Sequence, residues 1–150
     1  MFSRRLTASA VLLLAAAGAW AADFRSVATP AILYDAPSLK GGKLYIAPRG
    51  MPVEVILSYG EWVKVRDVSG DMAWTEAQQL STKRTVIVRS AGARVRATPD
   101  ESGIALMAAD RGLLLELVEA PADPQLGAWV KVRHKDGIIG YIKAIEIWGI

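Results

Sequence analysis

One pentapeptide occurs twice in this 150-residue chain. Trp62-Val63-Lys64-Val65-Arg66 returns as Trp129-Val130-Lys131-Val132-Arg133. Both copies alternate large apolar and basic residues. That period of two belongs to a strand with one face in a core and the other in water. A polar turn ending in Gly70 or Gly137 follows each copy, and an aromatic residue, Trp74 or Tyr141, stands four positions after the glycine.

The spacing of further landmarks extends the duplication. Pro37 and Pro99, Gly50 and Gly112, and Glu54 and Glu116 are each 62 positions apart. Trp62 and Trp129, Gly70 and Gly137, and Trp74 and Tyr141 are 67 apart. A constant offset that changes once, by five, means one insertion between Glu116 and Trp129. The stretch 120–127, with Pro121 and Pro124, fits it as a surface loop. Between landmarks the chain offers short β-rich runs punctuated by Gly, Pro and Asp, with no long helical period. Val53, Val55 and Leu57 are expected to alternate with Glu54 and Ile56, and 76–80 has room for a single helical or 3₁₀ turn. The β-branched run Thr85-Val86-Ile87-Val88 at the join needs burial. It predicts a strand shared by the modules or wedged between them, with Trp148 as a plug.

The first residues read as an export signal. Arg4 and Arg5 precede an apolar stretch at 10–17, and Ala19-Trp20-Ala21 offers small residues at a cleavage site. The apolar stretch is shorter than the ~20 residues a membrane-spanning helix needs. Ordinary secretory export with cleavage after Ala21 is expected, to the periplasm or the exterior, leaving no membrane anchor. Losing two arginines takes the formal charge from +3 to +1, too little to suggest nucleic-acid binding. The chain has no cysteine, so this exported protein is stabilised by burial and not by disulfides.

Chemistry-bearing motifs are absent. There is no thiol nucleophile, Gly-x-Ser-x-Gly elbow, His-Glu-x-x-His pair or phosphate-cradling loop. The one histidine, His134, falls in a hairpin tip as an exposed polar residue. Glu54, Asp71 and Glu76 have no spacing that marks a carboxylate pair. The sequence thus carries no catalytic residue, no metal site and no cofactor motif. Aromatic residues are the better candidates for a ligand platform: Tyr34, Tyr59, Trp62 and Trp74 in the first half, Trp129 and Tyr141 in the second, with Arg96 to orient a charged group. Tyr45 is a further candidate for the first groove. Trp62 and Trp129 share the parity of Lys64 and Lys131, so alternation favours partial exposure over a role as core plugs.

The ordered set Ala36-Pro37-Ser38, Arg49-Gly50, Trp62-Val63-Lys64-Val65 and Ala73-Trp74 resembles the bacterial SH3-like domains. It is repeated by Thr98-Pro99, Arg111-Gly112, Trp129-Val130-Lys131-Val132 and Gly140-Tyr141. The resemblance implies an all-β protein of two tandem SH3-like small β-barrels, at 22–84 and 85–150, after a signal peptide at 1–21. It also implies a monomeric, non-enzymatic binding or scaffolding protein of the bacterial envelope. The expected partners are a peptidoglycan peptide or an envelope protein, with an adaptor for a dedicated periplasmic partner or a cell-wall hydrolase accessory as alternatives. Leu33-Tyr34-Asp35 replaces the family's usual Asn-Leu-Arg-like turn, whereas Val95-Arg96 keeps it, so the two copies are expected to differ in ligand, or only one of them to bind.

Overall fold

The computed structural model describes residues 21–123 and 127–150. The expected leader, Ala21 apart, and Pro124, Gln125 and Leu126 of the inserted loop lie outside the described residues. The fold is all-β: fourteen strands form two seven-stranded antiparallel sheets. The first sheet holds β1 (Asp23–Val27), β2 (Ala31–Tyr34), β3 (Lys43–Ala47), β4 (Pro52–Tyr59), β5 (Trp62–Arg66), β6 (Met72–Glu76) and β7 (Leu80–Ser81), in the order β3-β2-β6-β5-β4-β1-β7. The second holds β8 (Thr85–Val88), β9 (Ala93–Arg96), β10 (Ala105–Ala109), β11 (Leu114–Glu119), β12 (Trp129–Arg133), β13 (Ile139–Lys143) and β14 (Ile147–Trp148). Its order, β10-β9-β13-β12-β11-β8-β14, repeats the first. A 3₁₀ turn, Ala77–Gln79 or Ala144–Glu146, precedes the last strand of each.

The sheets are curled. In a flat sheet β1 and β2, four strand spacings apart, would be separated by ~19 Å. The chain from Val27 to Ala31 reaches ~14 Å at most. Curling is what lets Val27, Leu33, Ala47, Val53, Val63, Val65 and Ala73 share one core. The expected closed barrels do not form. β7 has two residues and spends its pairing on β1, so nothing closes the ladder against β3. Each sheet therefore ends on an open strand, β3 or β10.

The repeated pentapeptide forms β5 and β12. Val63, Val65, Val130 and Val132 are buried, while Trp62, Lys64, Trp129 and Lys131 are half-buried on the other face. Alternation along β4 fails at one point. The register slips between Val55 and Leu57, and the bulge turns both Ile56 and Leu57 outward, against the expected burial of Leu57. The second sheet slips at the equivalent place, between Leu117 and Glu119.

β8 belongs to the second sheet and touches the first: Thr85 Oγ1 donates to Gly50 O at 2.7 Å. Arg84 Nη2 donates to Gly149 O at 2.8 Å, and Trp148 packs edge-on against Phe24 at 5.0 Å, so a hydrogen bond and an aromatic contact also join the modules. Gly50 and Gly112 hold φ of +82° and +90° at matching turns. A side chain would be strained there, which explains why both copies keep glycine.

Among the core positions at which the modules differ, one is tight in the second. Ala73 is buried in the first sheet, and its counterpart is Gly140. A Cβ at Gly140 would lie 2.5 Å from Arg96 O and 2.7 Å from Val95 Cγ1. Gly140→Ala is expected to cost about 1–3 kcal/mol by overpacking, read as a lowered midpoint in urea-induced unfolding; an unchanged midpoint would show that β9 has room to retreat.

Candidate functional site

Strand register places the aromatic candidates in rows on the face opposite the core. Directly opposed residues in adjacent strands point the same way. In the first module one row runs Tyr34, Trp74, Lys64, Leu57 across β2, β6, β5 and β4. The next runs Glu76, Trp62, Tyr59 across β6, β5 and β4. Tyr34 is buried beneath this face, with its ring edge-on to Trp62 at 5.6 Å. Lys64 Nζ lies 5.9 Å from the centre of the Trp74 ring. Leu57 and Tyr59 stand exposed, Tyr59 at 66%. The bulge at Ile56 is what adds them to the aromatic face. Tyr34, Tyr59, Trp62 and Trp74 are thus brought together.

Tyr45 is not part of the group. It opposes Leu33, the most buried residue of β2, and so takes the other face. Its hydroxyl donates to Asp67 Oδ2 at 2.7 Å.

A cavity of about 210 Å³ lies beside Tyr34. β2 and β6 pair at Tyr34 and Trp74 alone, leaving a slot between Pro30, Ile32 and Tyr34 on one side and Thr75, Glu76 and Gln79 on the other. Thr29 Oγ1 donates to Gln79 Oε1 at 3.3 Å near its end. Thr75 is 1% exposed, and its Oγ1 has no hydrogen-bond partner among the described residues. A buried hydroxyl without a partner costs about 1–3 kcal/mol. A second hollow of about 170 Å³ runs past Glu61, Glu76 and Gln78.

The same frame carries other chemistry in the second module. Its rows are Arg96, Tyr141, Lys131, Glu119 and then Lys143, Trp129. Arg96 donates to Gly103 O at 2.9 Å and lies 3.9 Å from Glu101, so its guanidinium is engaged within the module. Glu101 also pairs with Lys143, whose Nζ sits 5.9 Å from the Trp129 ring centre. Trp129, Lys131 and Tyr141 border a hollow of about 110 Å³ beside Pro121.

A larger cleft of about 350 Å³ opens between the modules, lined by Lys83, Glu116, Arg133, His134 and Lys135 among others. Glu116 pairs with Lys83 at 3.4 Å and with Arg133 at 3.3 Å, so one carboxylate is shared by two cations. His134 is buried, not exposed. It takes the place of Asp67: as Asp67 Oδ1 accepts from Ser69 and Asp71 N–H groups, His134 Nδ1 accepts from Asp136 N. Among the described residues no group of three or more His, Asp or Glu side chains could hold a metal. Glu54 and Glu76 fall in rows two apart, with Arg66 against Glu54.

Lys143 is a site residue the sequence reading passed over, and Glu76 entered it only as an unsupported carboxylate. The signal was present in the repeat. Positions 76 and 143 correspond at the offset of 67, and they carry opposite charges.

A family model described as the bacterial SH3 domain matches residues 27–82 and again 89–149. No curated protein matches the chain. Among solved structures, NlpC2 from Trichomonas vaginalis is 14% identical with a TM-score of 0.38, the match covering 87% of this chain and 49% of that one. NlpC1 from the same organism is 15% identical, also at 0.38, covering 95% and 51%. The chain spans about half the length of each.

Burial first, and then the bond to Asp67, raise the Tyr45 hydroxyl well above its ordinary value of 10.0. The folded protein holds that proton more tightly than the unfolded chain does, so the stabilisation is whole below pH ~10 and is lost as pH rises beyond it. Absorbance titration at alkaline pH is expected to show one late-ionising tyrosine that disappears in Tyr45→Phe. Persistence of the late phase in that variant would assign it elsewhere.

Proposed function

Because the chain belongs to the bacterial SH3 domain family, in two copies, we propose that it is a non-enzymatic binding protein of the bacterial envelope. It is exported, released from its leader and monomeric, and it takes peptide-like segments of the cell wall or of an envelope protein on its outer faces. The observation that carries this reading is the open aromatic face of the first module. Tyr34, edge-on to Trp62, and Trp74 lie on three adjacent strands on the face away from the core, with Leu57 and Tyr59 exposed beside them. Rigid aromatic side chains offer a large contact area at low entropic cost. A slot of about 210 Å³ adjoins that face and can take one or two ligand residues.

A dedicated protein partner is favoured by a separate feature, the open edge strand β3. Leu44 and Ile46 are exposed there at 50% and 67%, and an unpaired strand edge is a place where another chain can add.

Sedimentation of the purified protein with insoluble peptidoglycan tests the wall-binding form. Retention is expected, with at least a several-fold loss in Trp62→Ala. Equal retention of the two proteins would refute a role for this face. Absence of any retention, together with crosslinks to a single protein through β3, would transfer the reading to the adaptor.

A further inference from the structure

The two modules present the same scaffold positions with reversed charge, and one of them carries an internal model of a ligand. Trp129 opposes Lys143 across β12 and β13, and the Lys143 ammonium lies over the Trp129 ring at 5.9 Å. Trp62 opposes Glu76 at the equivalent place in the first module. The aromatic surface is thus retained while the cation that covers it is replaced by a carboxylate. Glu61 adds a second carboxylate beside Glu76. Glu76 and Tyr34 both border the slot of about 210 Å³. A carboxylate and aromatic faces together are the complement of an N–H-rich cation.

We infer that the Trp62–Glu76 corner of the first module binds a primary ammonium group, supplied by a lysine-like side chain or a free amino terminus of a peptide. The corresponding corner of the second module is closed to such a ligand by its own Lys143. Glu76 supplies the counter-charge, and Trp62 and Tyr34 supply the ring surface. Glu101 holds Lys143 in its covering position. This inference rests on the aromatic-face reading above and adds the ligand group that the face selects.

The test uses the purified protein and two probes of nearly equal shape, Nα-acetyl-lysine amide and Nα-acetyl-norleucine amide. Tryptophan indole N–H resonances report binding, with Trp62 assigned from Trp62→Phe. The lysine probe is expected to shift Trp62 at concentrations where the norleucine probe does not. Glu76→Lys, a residue exchange the second module already accommodates, is expected to weaken the lysine probe about tenfold or more. Lys143→Glu is expected to create response at Trp129. Equal binding of both probes, or unchanged binding by Glu76→Lys, would overturn ammonium selection and leave the aromatic face standing as a general peptide platform. No shift at Trp62 with either probe would also overturn it, and peptidoglycan sedimentation would then decide the wider reading by itself.

Discussion

Val63 and Val65, with Val130 and Val132, divide each hairpin into an inside and an outside. Burying a valine stabilises a fold by about 1.5–3 kcal/mol, so four such residues fix the phase of β5 and β12 beyond the reach of a one-residue slip. Once the valines face in, Trp62, Lys64, Trp129 and Lys131 must face out. The candidate ligand surface is therefore a consequence of core packing. Strands β6 and β13 inherit the phase through their pairing and add Trp74 and Tyr141 to the same face.

Curvature supplies what alternation alone lacks. The short passage from Val27 to Ala31 forces each first strand back toward the second across the inside of the sheet. β2 then meets β6 at a single residue pair, and the slot beside Tyr34 is what remains. The bulge at Ile56 contributes separately. It reverses the phase of the end of β4, so Leu57 and Tyr59 join the aromatic face instead of continuing the alternation set by Val53. Core, slot and outer face are three results of one strongly bent sheet.

How much of this was legible in the sequence follows from what each feature depends on. The buried valines, the half-exposed tryptophans, the 3₁₀ turn at Ala77–Gln79 and the contact of Trp148 with the neighbouring module all rest on local pattern or on repeat spacing. The bulges do not. Ile56 stands between the apolar Val55 and Leu57 and is not marked by its type, and a bulge there or at Val118 depends on the partner strand's register, which no single segment encodes. Closure was overestimated because strand number was inferred from the family pattern, while pairing of the last strand depends on its length, here two residues. His134 was read as exposed from its place in a turn. Its burial is set by what the folded chain packs around it, which the turn sequence does not carry. Thr75 was invisible for a similar reason: a threonine in a strand is ordinary until its hydroxyl is found without a partner.

Duplication makes the outer face informative. Two copies of one sheet face the same packing demands, so inward positions are held to residues of similar size: Val63 and Val130, Val65 and Val132, Ala73 and Gly140. Outward positions carry no such demand. Tyr34 stands against Arg96, Trp74 against Tyr141, and Glu76 against Lys143, with chemistry that differs in charge as well as in shape. Trp62 and Trp129 are the exception, an outward pair that has not diverged. Core packing does not account for their identity, since both lie on the far side of the valines. An exposed ion pair such as Lys143 with Glu101 contributes about 0–1 kcal/mol at most, so fold stability gives little reason to keep a cation over Trp129 either. What separates the two corners is whether the indole face is covered from within, and that difference bears on binding far more than on folding.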